Sequence, residues 1–305
     1  MKRFLILASL GLCMAVGLTG CALLQVVSEA GTAIGTATGA ITPGQAESIK
    51  RSATAVGKAM ADITPEQEYY LGRAVAATIL KTYKPYDHAT ANQYLNTMGQ
   101  ALAAASDKPE TFKGYRFLIM DTDEINAFAA PSGYVLVSRG LIRCCPNESA
   151  LASVLAHEVG HVQHGHGLQA ISQKRWTSAA TILAVEAGKN LAGEQLAELT
   201  TAFEGTITDI TGTMVNSGYA RKLEGEADKA AITIMQRVGY DPNGLKTMLV
   251  QMQQRMQGGD HRGFGATHPS PEQRIKAIEP LLRNTPAPAD YKARQDRFEK
   301  FLKSI

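Results

Sequence analysis

Apolar residues recur along the first half of the chain with two different periods, which predict two helices followed by short strands. A spacing of three to four residues predicts helices over Glu66–Lys81 and Ala89–Ala105. Short apolar runs bounded by turn-forming residues predict strands over Tyr115–Met120, Ala127–Ala130 and Tyr134–Val137. These strands predict a small β-sheet.

Helical spacing returns after the strands and predicts a mostly helical remainder. The predicted helical stretches are Leu151–His166, Gln169–Thr213, Tyr219–Met235, the residues from Pro242 to about Met256, a helix ending near Leu282, and one charged helix in the tail after Pro286. The Ala-rich stretch Gln169–Thr213 has a weak apolar pattern and is expected to cover part of a cleft. The predicted fold class is therefore α+β, mostly helical.

The N-terminus has the pattern of a bacterial lipoprotein signal. Lys2 and Arg3 precede the nearly uninterrupted apolar stretch Phe4–Leu18, which is shorter than the about 20 residues that a transmembrane helix needs. The Leu-Thr-Gly-Cys sequence ending at Cys21 resembles a lipobox, which implies cleavage before Cys21 and lipid attached to it. Ala22, in place of Asp, favours sorting to the outer membrane. The alternative is an ordinary secretory signal with an incidental cysteine.

Four segments follow from these patterns. They are a lipoprotein-type signal peptide over 1–20, a lipid-anchored flexible tether over 21–63, a folded domain over 64–285 and a C-terminal helical tail over 286–305. Thr64, followed by proline, is a suitable N-cap for the first helix of the domain. The small and polar residues before Thr64 favour a tether. The glycine spacing in Gly31–Gly39 leaves packing against a membrane or a partner as the alternative.

Charge and cysteine content limit the function further. Removal of residues 1–20 takes away Lys2 and Arg3 and no acid, so the formal net charge falls from +3 to +1. A nearly neutral protein offers no electrostatic basis for binding nucleic acid. Cys144 and Cys145 are adjacent, and a disulfide between them would be strained. A buried thiol pair or an intermolecular bond is favoured, with a redox switch as the alternative.

The strongest chemical signal is the H-E-x-x-H sequence from His157 to His161. The two histidines are four residues apart on a predicted helix and project from one face, so they can share one Zn²⁺. Glu158 stands beside them, where it can act on water at an open coordination position. A pair of structural histidines is the alternative, and a third ligand is needed to decide.

The third ligand is expected from a later helix. A metzincin would need glycine at His164 and histidine at Gly167, so that pattern fails. Glu224 and Asp228 are four residues apart and share a helix face, whereas Glu226 lies roughly 200° around the helix from Glu224. We assign Glu224 as metal ligand and Asp228 as the residue that orients a ligand. Glu226 is expected to be solvated or paired elsewhere.

These motifs together resemble the M48 family of zinc metallopeptidases. Further matching segments are Asn126-Ala-Phe128, Gly133-Tyr-Val-Leu-Val137, Gly140-Leu141, Thr267-His268-Pro269 and Arg274-Ile275. No hydrophobic span interrupts the similar region, from about Glu66 to Leu282, which fits the periplasmic and outer-membrane lipoprotein branch. The resemblance implies a zincin-like domain with one zinc ion per chain. It also implies Glu158 as general base and a role in protein quality control in the bacterial envelope.

Other site residues are assigned with open alternatives. His268 either polarises the substrate carbonyl or approaches the zinc as a removable fourth ligand, and a structural role is the alternative. Arg221 is expected to pair with acidic groups, as part of the ligand-orienting shell or as a simple salt bridge. His164 and His166 follow the motif and receive no role, because histidines at a helix end are usually solvated or face its dipole.

An edge strand is expected to hold the substrate. The residues assigned to it are Asn126, Ala127, Phe128 and Gly133, and a core strand is the alternative. An extended peptide adds to such an edge through backbone hydrogen bonds that tolerate many sequences.

The expected function is that of a zinc endopeptidase lipid-anchored to the outer membrane in the periplasm of a Gram-negative bacterium. Its expected partners are unfolded or misassembled envelope proteins. One alternative is a chaperone or assembly factor for outer-membrane proteins with a mostly latent zinc site. An enzyme acting on cell-wall peptides is a weaker third, because no wall-binding module is visible.

Overall fold

A computed structural model describes residues 63–169, 204–205, 207–257, 267–268, 271–282 and 291–305. The predicted signal peptide, Cys21, the tether up to residue 62, the stretch 170–203 and the Gly-rich loop Gly258–Gly265 lie outside the described residues. The described residues from Thr64 onward belong to one compact unit that extends to Ile305.

Helices make up most of the described chain and enclose one short β segment. The helices are α1 (Pro65–Thr82), α2 (Ala89–Ala104), α3 (Arg139–Cys144), α4 (Glu148–Gln163), α5 (His166–Gln169), α6 (Arg221–Val238), α7 (Asn243–Gln257), α8 (Pro271–Leu282) and α9 (Tyr291–Leu302). The strands are β1 (Arg116–Met120), β2 (Ala127–Ala130) and β3 (Tyr134–Ser138). A 3₁₀ turn, Pro131–Gly133, links β2 to β3, and a π-helical segment, Thr213–Ser217, precedes α6. The predicted α+β, mostly helical class is confirmed.

The three strands form a mixed sheet in the order β1-β3-β2. β1 runs parallel to β3, with Phe117 opposite Val135, and β2 runs antiparallel to β3, with Phe128 opposite Leu136. In the described part of the chain, β2 is therefore an edge strand. Helix α4 packs directly against β2, so the sheet supports the helix that carries the H-E-x-x-H sequence.

Helix α4 runs through the core, and a glycine allows another helix to approach it closely. α2, α6 and α7 all pack against α4. A β-carbon at Gly160 would lie 3.0 Å from the carbonyl oxygen of Ala227 and 3.1 Å from the β-carbon of Ala230. Gly160 lies between the two motif histidines, and Ala227 lies between Glu224 and Asp228. The close helix contact therefore brings the two halves of the predicted metal site together.

Capping residues set the ends of the helices that matter for the site. Thr64 accepts a hydrogen bond from the backbone of Gln67, whose side chain accepts one in return, which completes a capping box at α1. Asn147 caps α4 by accepting from the backbone of Ala150. Gly239 ends α6 in the left-handed conformation at φ 76°, where glycine is favoured. The start of α4 and the end of α6 are thus set by local sequence.

The last helix packs against the same core as α4. Phe298 and Phe301 of α9 are buried in the cluster that contains the apolar residues of α4. Arg297 also forms a bidentate ion pair with Glu148, the first residue of α4. Among the described residues, no helix combines the length and hydropathy that crossing a membrane requires.

Candidate metal centre

The two motif histidines converge from one face of α4. Their Nε2 atoms lie 3.0 Å apart, and their rings meet nearly edge to face at an interplanar angle of 83°. Both side chains are buried, as is that of Glu158, which lies between them in the sequence. The first turn of α6 adds a carboxylate, because Glu224 places its oxygens 3.6 Å from Nε2 of His157 and 3.4 Å from Nε2 of His161.

His268 joins these three residues. One potential ligand atom from each of His157, His161, Glu224 and His268 lies within 4.8 Å of all the others. Nε2 of His268 is 4.0 Å from Glu224 and 3.7 Å from Glu158. Oγ1 of Thr267 lies 3.0 Å from Nδ1 of His268. If Nδ1–H donates to this hydroxyl, Nε2 presents its lone pair to the cluster.

This donor set fits a divalent metal ion. Both carboxylate oxygens of Glu224 are buried and accept no hydrogen bond from the described residues. A buried carboxylate without hydrogen bonds is unfavourable unless a cation is close. Two imidazoles and a carboxylate are ligands that divalent transition metals accept. The guanidinium of Arg274, 3.3 Å from Glu224, compensates part of this charge, and a metal ion held between the histidines and Glu224 would compensate the rest.

Asp228 orients His157 and is itself held by Arg274. Oδ1 of Asp228 lies 3.0 Å from Nδ1 of His157, and Arg274 donates to both Asp228 oxygens at 2.9 and 2.6 Å. Burial alone would raise the pKa of Asp228, but the Arg274 charge and these hydrogen bonds hold it below its ordinary range. The charged Asp228 accepts from Nδ1–H of His157, so the lone pair of the neutral ring is on Nε2, which faces the other potential ligands.

Arg221 lies outside the buried ligand-orienting shell, which was one of the two roles expected for it. It lies on the exposed side of the first turn of α6, whereas Arg274 of α8 provides the buried guanidinium and also lies 3.3 Å from Glu224. Proximity in sequence favours Arg221, which precedes Glu224 by three residues. The packing of α8 against α6 and α7 brings Arg274 into the site. The available signal was the Arg274-Ile275 match to the family.

Glu158 has the properties of a general base. Burial raises its pKa to about 7, with His157 acting in the opposite direction. A carboxyl group with a pKa near neutrality is well suited to accept and return a proton. A bound cation would lower this pKa and increase the charged fraction at pH 7.

His166 lies in the site, although its position after the motif predicted no role for it. It is fully buried, with Nδ1 at 2.8 Å from Nδ1 of His161 and Nε2 at 3.2 Å from Oε2 of Glu226. His164, in contrast, is exposed, as expected. The expectation failed for His166 because the chain turns back after α4 and carries this ring inward. His166 follows His157 by nine residues, but helical periodicity does not continue across such a turn. The sequence therefore does not show that the His166 ring lies in the site.

The residues assigned to substrate binding lie on the predicted edge strand but are covered. Asn126, Ala127, Phe128 and Gly133 are all buried, and the Phe128 ring packs against Tyr83 at 5.5 Å. The segment Thr213–Ser217 contacts β2. In the described conformation these residues contribute to the core and are not accessible to a peptide, which corrects their assignment as a substrate-binding surface.

Cys144 and Cys145 are both buried thiols that form no disulfide with each other. Their sulfur atoms contact the backbone carbonyl oxygens of Gly140 and Leu141, at 2.9 and 3.4 Å. A buried pair of thiols was one of the outcomes that the sequence favoured.

Comparison with known proteins agrees with this geometry. The chain is 32% identical over 184 residues to the β-barrel assembly-enhancing protease of Escherichia coli strain K12, which covers 60% of this chain and 37% of that protein. It is 32% identical over 201 residues to the putative β-barrel assembly-enhancing protease of Vibrio cholerae, covering 64% of this chain and 40% of that protein. It is 35% identical over 162 residues to the mitochondrial metalloendopeptidase OMA1 of Schizosaccharomyces pombe, covering 52% of this chain and 43% of that protein.

The chain thus spans about two fifths of the length of these relatives. A family model for peptidase family M48 matches residues 89–281, more than half of the chain. The matched region contains the H-E-x-x-H helix, Glu224, Asp228, His268 and Arg274. The chain belongs to peptidase family M48.

Proposed function

We propose that this chain is a zinc-dependent endopeptidase that degrades misfolded or misassembled envelope proteins. It acts in the periplasm of a Gram-negative bacterium, where a lipid anchors it to the outer membrane. The observation that carries the proposal is the convergence of His157, His161 and Glu224, with Glu158 beside them. The names of its relatives, which describe proteases and metalloendopeptidases, support the same class of reaction.

The distances between ligand atoms support zinc as the metal, with one ion per chain. In a tetrahedral site with zinc bonds of about 2.0–2.1 Å, neighbouring ligand atoms are separated by about 3.3 Å. The Nε2 atoms of His157 and His161 are 3.0 Å apart, Oε1 of Glu224 lies 3.4 Å from Nε2 of His161, and Oε2 of Glu224 lies 3.6 Å from Nε2 of His157, all close to this value. Two histidines and one glutamate are also a common set for catalytic zinc.

The residues of the chain divide the reaction between them. Zinc, when bound, acts as a Lewis acid and lowers the pKa of a water molecule toward about 7. Glu158 accepts a proton from the attacking water and returns it to the departing amine. Asp228 and Arg274 keep His157 in the tautomer that presents Nε2 to the metal. The buried position of these groups strengthens their electrostatic interactions.

The location and substrates rest on separate support. The lipobox ending at Cys21 and the Ala22 that follows it support a lipid anchor in the outer membrane. The phrase "beta-barrel assembly-enhancing" in the names of two relatives supports a role with outer-membrane proteins. Misassembled envelope proteins expose extended segments, which are the parts of a protein that an endopeptidase can cleave.

A chaperone or assembly factor with a latent site is the second candidate. The observation that favours it is that the metal centre is closed to solvent in the described residues. The four potential ligands are all buried, and β2 is covered. A binding protein of this kind needs the fold of the site but not its general base. The two functions therefore differ in their dependence on Glu158.

The deciding experiment uses the purified protein and its Glu158→Gln variant. We expect the wild type to cleave casein, a chelator to stop the cleavage and zinc to restore it. Glu158→Gln should keep its zinc and lose about 10²- to 10⁴-fold in rate, because it removes the general base. Wild-type cleavage by Glu158→Gln would overturn the proposed mechanism.

The same variant separates the two functions in cells. Under the peptidase proposal, envelopes of cells that make Glu158→Gln should accumulate misassembled proteins that wild-type cells remove, as measured by quantitative proteomics. If Glu158→Gln supports envelope assembly as well as the wild type does, the chaperone alternative is correct.

A further inference from the structure

A second series of hydrogen-bonded side chains begins at His161 and leads away from the metal centre. Nδ1 of His161 lies 2.8 Å from Nδ1 of His166, and Nε2 of His166 lies 3.2 Å from Oε2 of Glu226. His166 is fully buried, whereas the side chain of Glu226 is 35% exposed. This series of contacts thus joins a buried histidine of the metal centre to a partly exposed carboxylate.

Only one placement of hydrogens satisfies every contact when His161 binds a metal. Nε2 of His161 faces Glu224 and must carry a lone pair to ligate, so the hydrogen of its neutral ring is on Nδ1. Nδ1–H of His161 then donates to Nδ1 of His166. The hydrogen of the His166 ring is consequently on Nε2, from which it is donated to the carboxylate of Glu226.

We propose that His166 and Glu226 are positioning residues, which hold His161 in the tautomer and ring orientation that bind the metal. The inference deepens the proposed zinc-dependent function and rests on it. Helix α6 then supplies three carboxylates with separate tasks. Glu224 ligates the metal, Asp228 orients the first motif histidine directly, and Glu226 orients the second through His166.

The backbone after α4 places His166 for this task. Gly165 adopts φ 65°, a left-handed conformation that glycine favours, and so reverses the chain immediately before His166. The ring of Tyr219 stacks on His161 at 4.4 Å with an interplanar angle of 24°. His161 is thus fixed by a ring on its face and by a hydrogen bond at Nδ1. Both contacts restrict rotation of the imidazole.

Glu226 has a second partner that supplies a matched control. Nζ of Lys222 lies 3.7 Å from Oε1 of Glu226, one turn earlier on α6. Lys222 is exposed, and among the described residues its ion pair is with Glu226 and not with His166. Removal of Lys222 changes the charge beside Glu226 but leaves the hydrogen bond to His166 in place. Exposed pairs of this kind contribute little to stability.

The experiment measures zinc affinity of the purified protein by competition with a chromophoric chelator. The variants are His166→Phe, Glu226→Ala, Glu226→Gln and the double variant His166→Phe/Glu226→Ala, with Lys222→Ala as control. Loss of a residue that orients a metal ligand typically lowers metal affinity by about 10- to 100-fold. We expect a loss in this range for His166→Phe and for Glu226→Ala, and wild-type affinity for Lys222→Ala.

The pattern across the variants separates positioning from general stabilisation. Glu226→Gln keeps an acceptor oxygen, so it should recover part of the affinity that Glu226→Ala loses. Because the two residues act in series, the double variant should bind zinc no more weakly than His166→Phe alone. The visible spectrum of bound Co²⁺ should change in His166→Phe and Glu226→Ala, and not in Lys222→Ala.

Each contrary outcome has a defined meaning. If the wild type binds no zinc, the proposed function and this inference both fail. If the wild type binds zinc and Glu226→Ala binds it equally well with an unchanged Co²⁺ spectrum, only the positioning role fails. Should His166→Phe not fold, the comparison of Glu226→Ala, Glu226→Gln and Lys222→Ala still decides, because Glu226 is partly exposed.

Discussion

Oδ1 of Asp228 lies 3.0 Å from Nδ1 of His157, and the carboxylate accepts hydrogen bonds from two nitrogens, Nε and Nη2, of a single guanidinium. That guanidinium belongs to Arg274 of α8, so three helices contribute to the orientation of one metal ligand. Arg274 also lies 3.3 Å from Glu224. Its positive charge therefore compensates two buried carboxylates, one of which would face the metal.

Arg274→Ala should destabilise the metal-free protein by about 3–5 kcal/mol, because it leaves buried carboxylates uncompensated. Urea unfolding in the presence of a chelator measures the change without a contribution from bound metal. Arg221→Ala is the matched control and should change the free energy of unfolding by less than about 0.5 kcal/mol, because Arg221 is exposed. Equal effects of the two substitutions would contradict the assignment of Arg274.

The contrast between these two arginines shows which parts of the site are predictable from sequence. Helical periodicity predicts the metal ligands, because residues four apart share a face of one helix. His157 and His161 are related in this way on α4, as are Glu224 and Asp228 on α6. Arg274 and His166 depend on how separate segments pack, and neither leaves a periodic signal. The strands were predictable as apolar runs, but the contact of Thr213–Ser217 with β2 is a tertiary contact that leaves no local signal.

The contact between α4 and α6 predicts a strong effect of a single methyl group. Gly160→Ala would place a β-carbon 3.0 Å from Ala227, and such overpacking should cost about 1–3 kcal/mol in unfolding free energy and weaken zinc binding. At Gly225 a β-carbon meets open space, so Gly225→Ala should stabilise α6 by up to about 1 kcal/mol. Chelator-treated urea titrations of both variants test this. If Gly160→Ala leaves the free energy of unfolding unchanged, α4 and α6 are farther apart than this contact requires.

The proposed anchor predicts the fate of a Cys21→Ser variant. Lipid attachment requires the thiol, so the variant should stay an uncleaved precursor or become soluble in the periplasm. Fractionation with metabolic labelling by a fatty acid measures both outcomes, and Cys13→Ser is the matched control that should keep the lipid. If Cys21→Ser still fractionates with the outer membrane, the anchor lies elsewhere, and Gly31–Gly39 becomes the segment to replace.

His268 is in position to close the metal centre. Its Nε2 lies 4.0 Å from Glu224, within the cluster of potential ligand atoms, and the whole cluster is buried. A fourth protein ligand would occupy the position that water needs, as in structural zinc sites. A removable ligand would make the enzyme latent until the segment that carries His268 moves.

We expect His268→Ala to raise the basal cleavage of casein per bound zinc, because it removes the group that occupies the open position. If His268 instead polarises the substrate carbonyl, the rate should fall by about 10²-fold or more, as for a lost oxyanion donor. An unchanged rate would leave only a structural role. The same substitution combined with Glu158→Gln should be inactive in every case, which controls for contaminating proteases. Because His268→Ala also removes a potential ligand, the zinc content of each variant is measured and the rates are compared per bound ion.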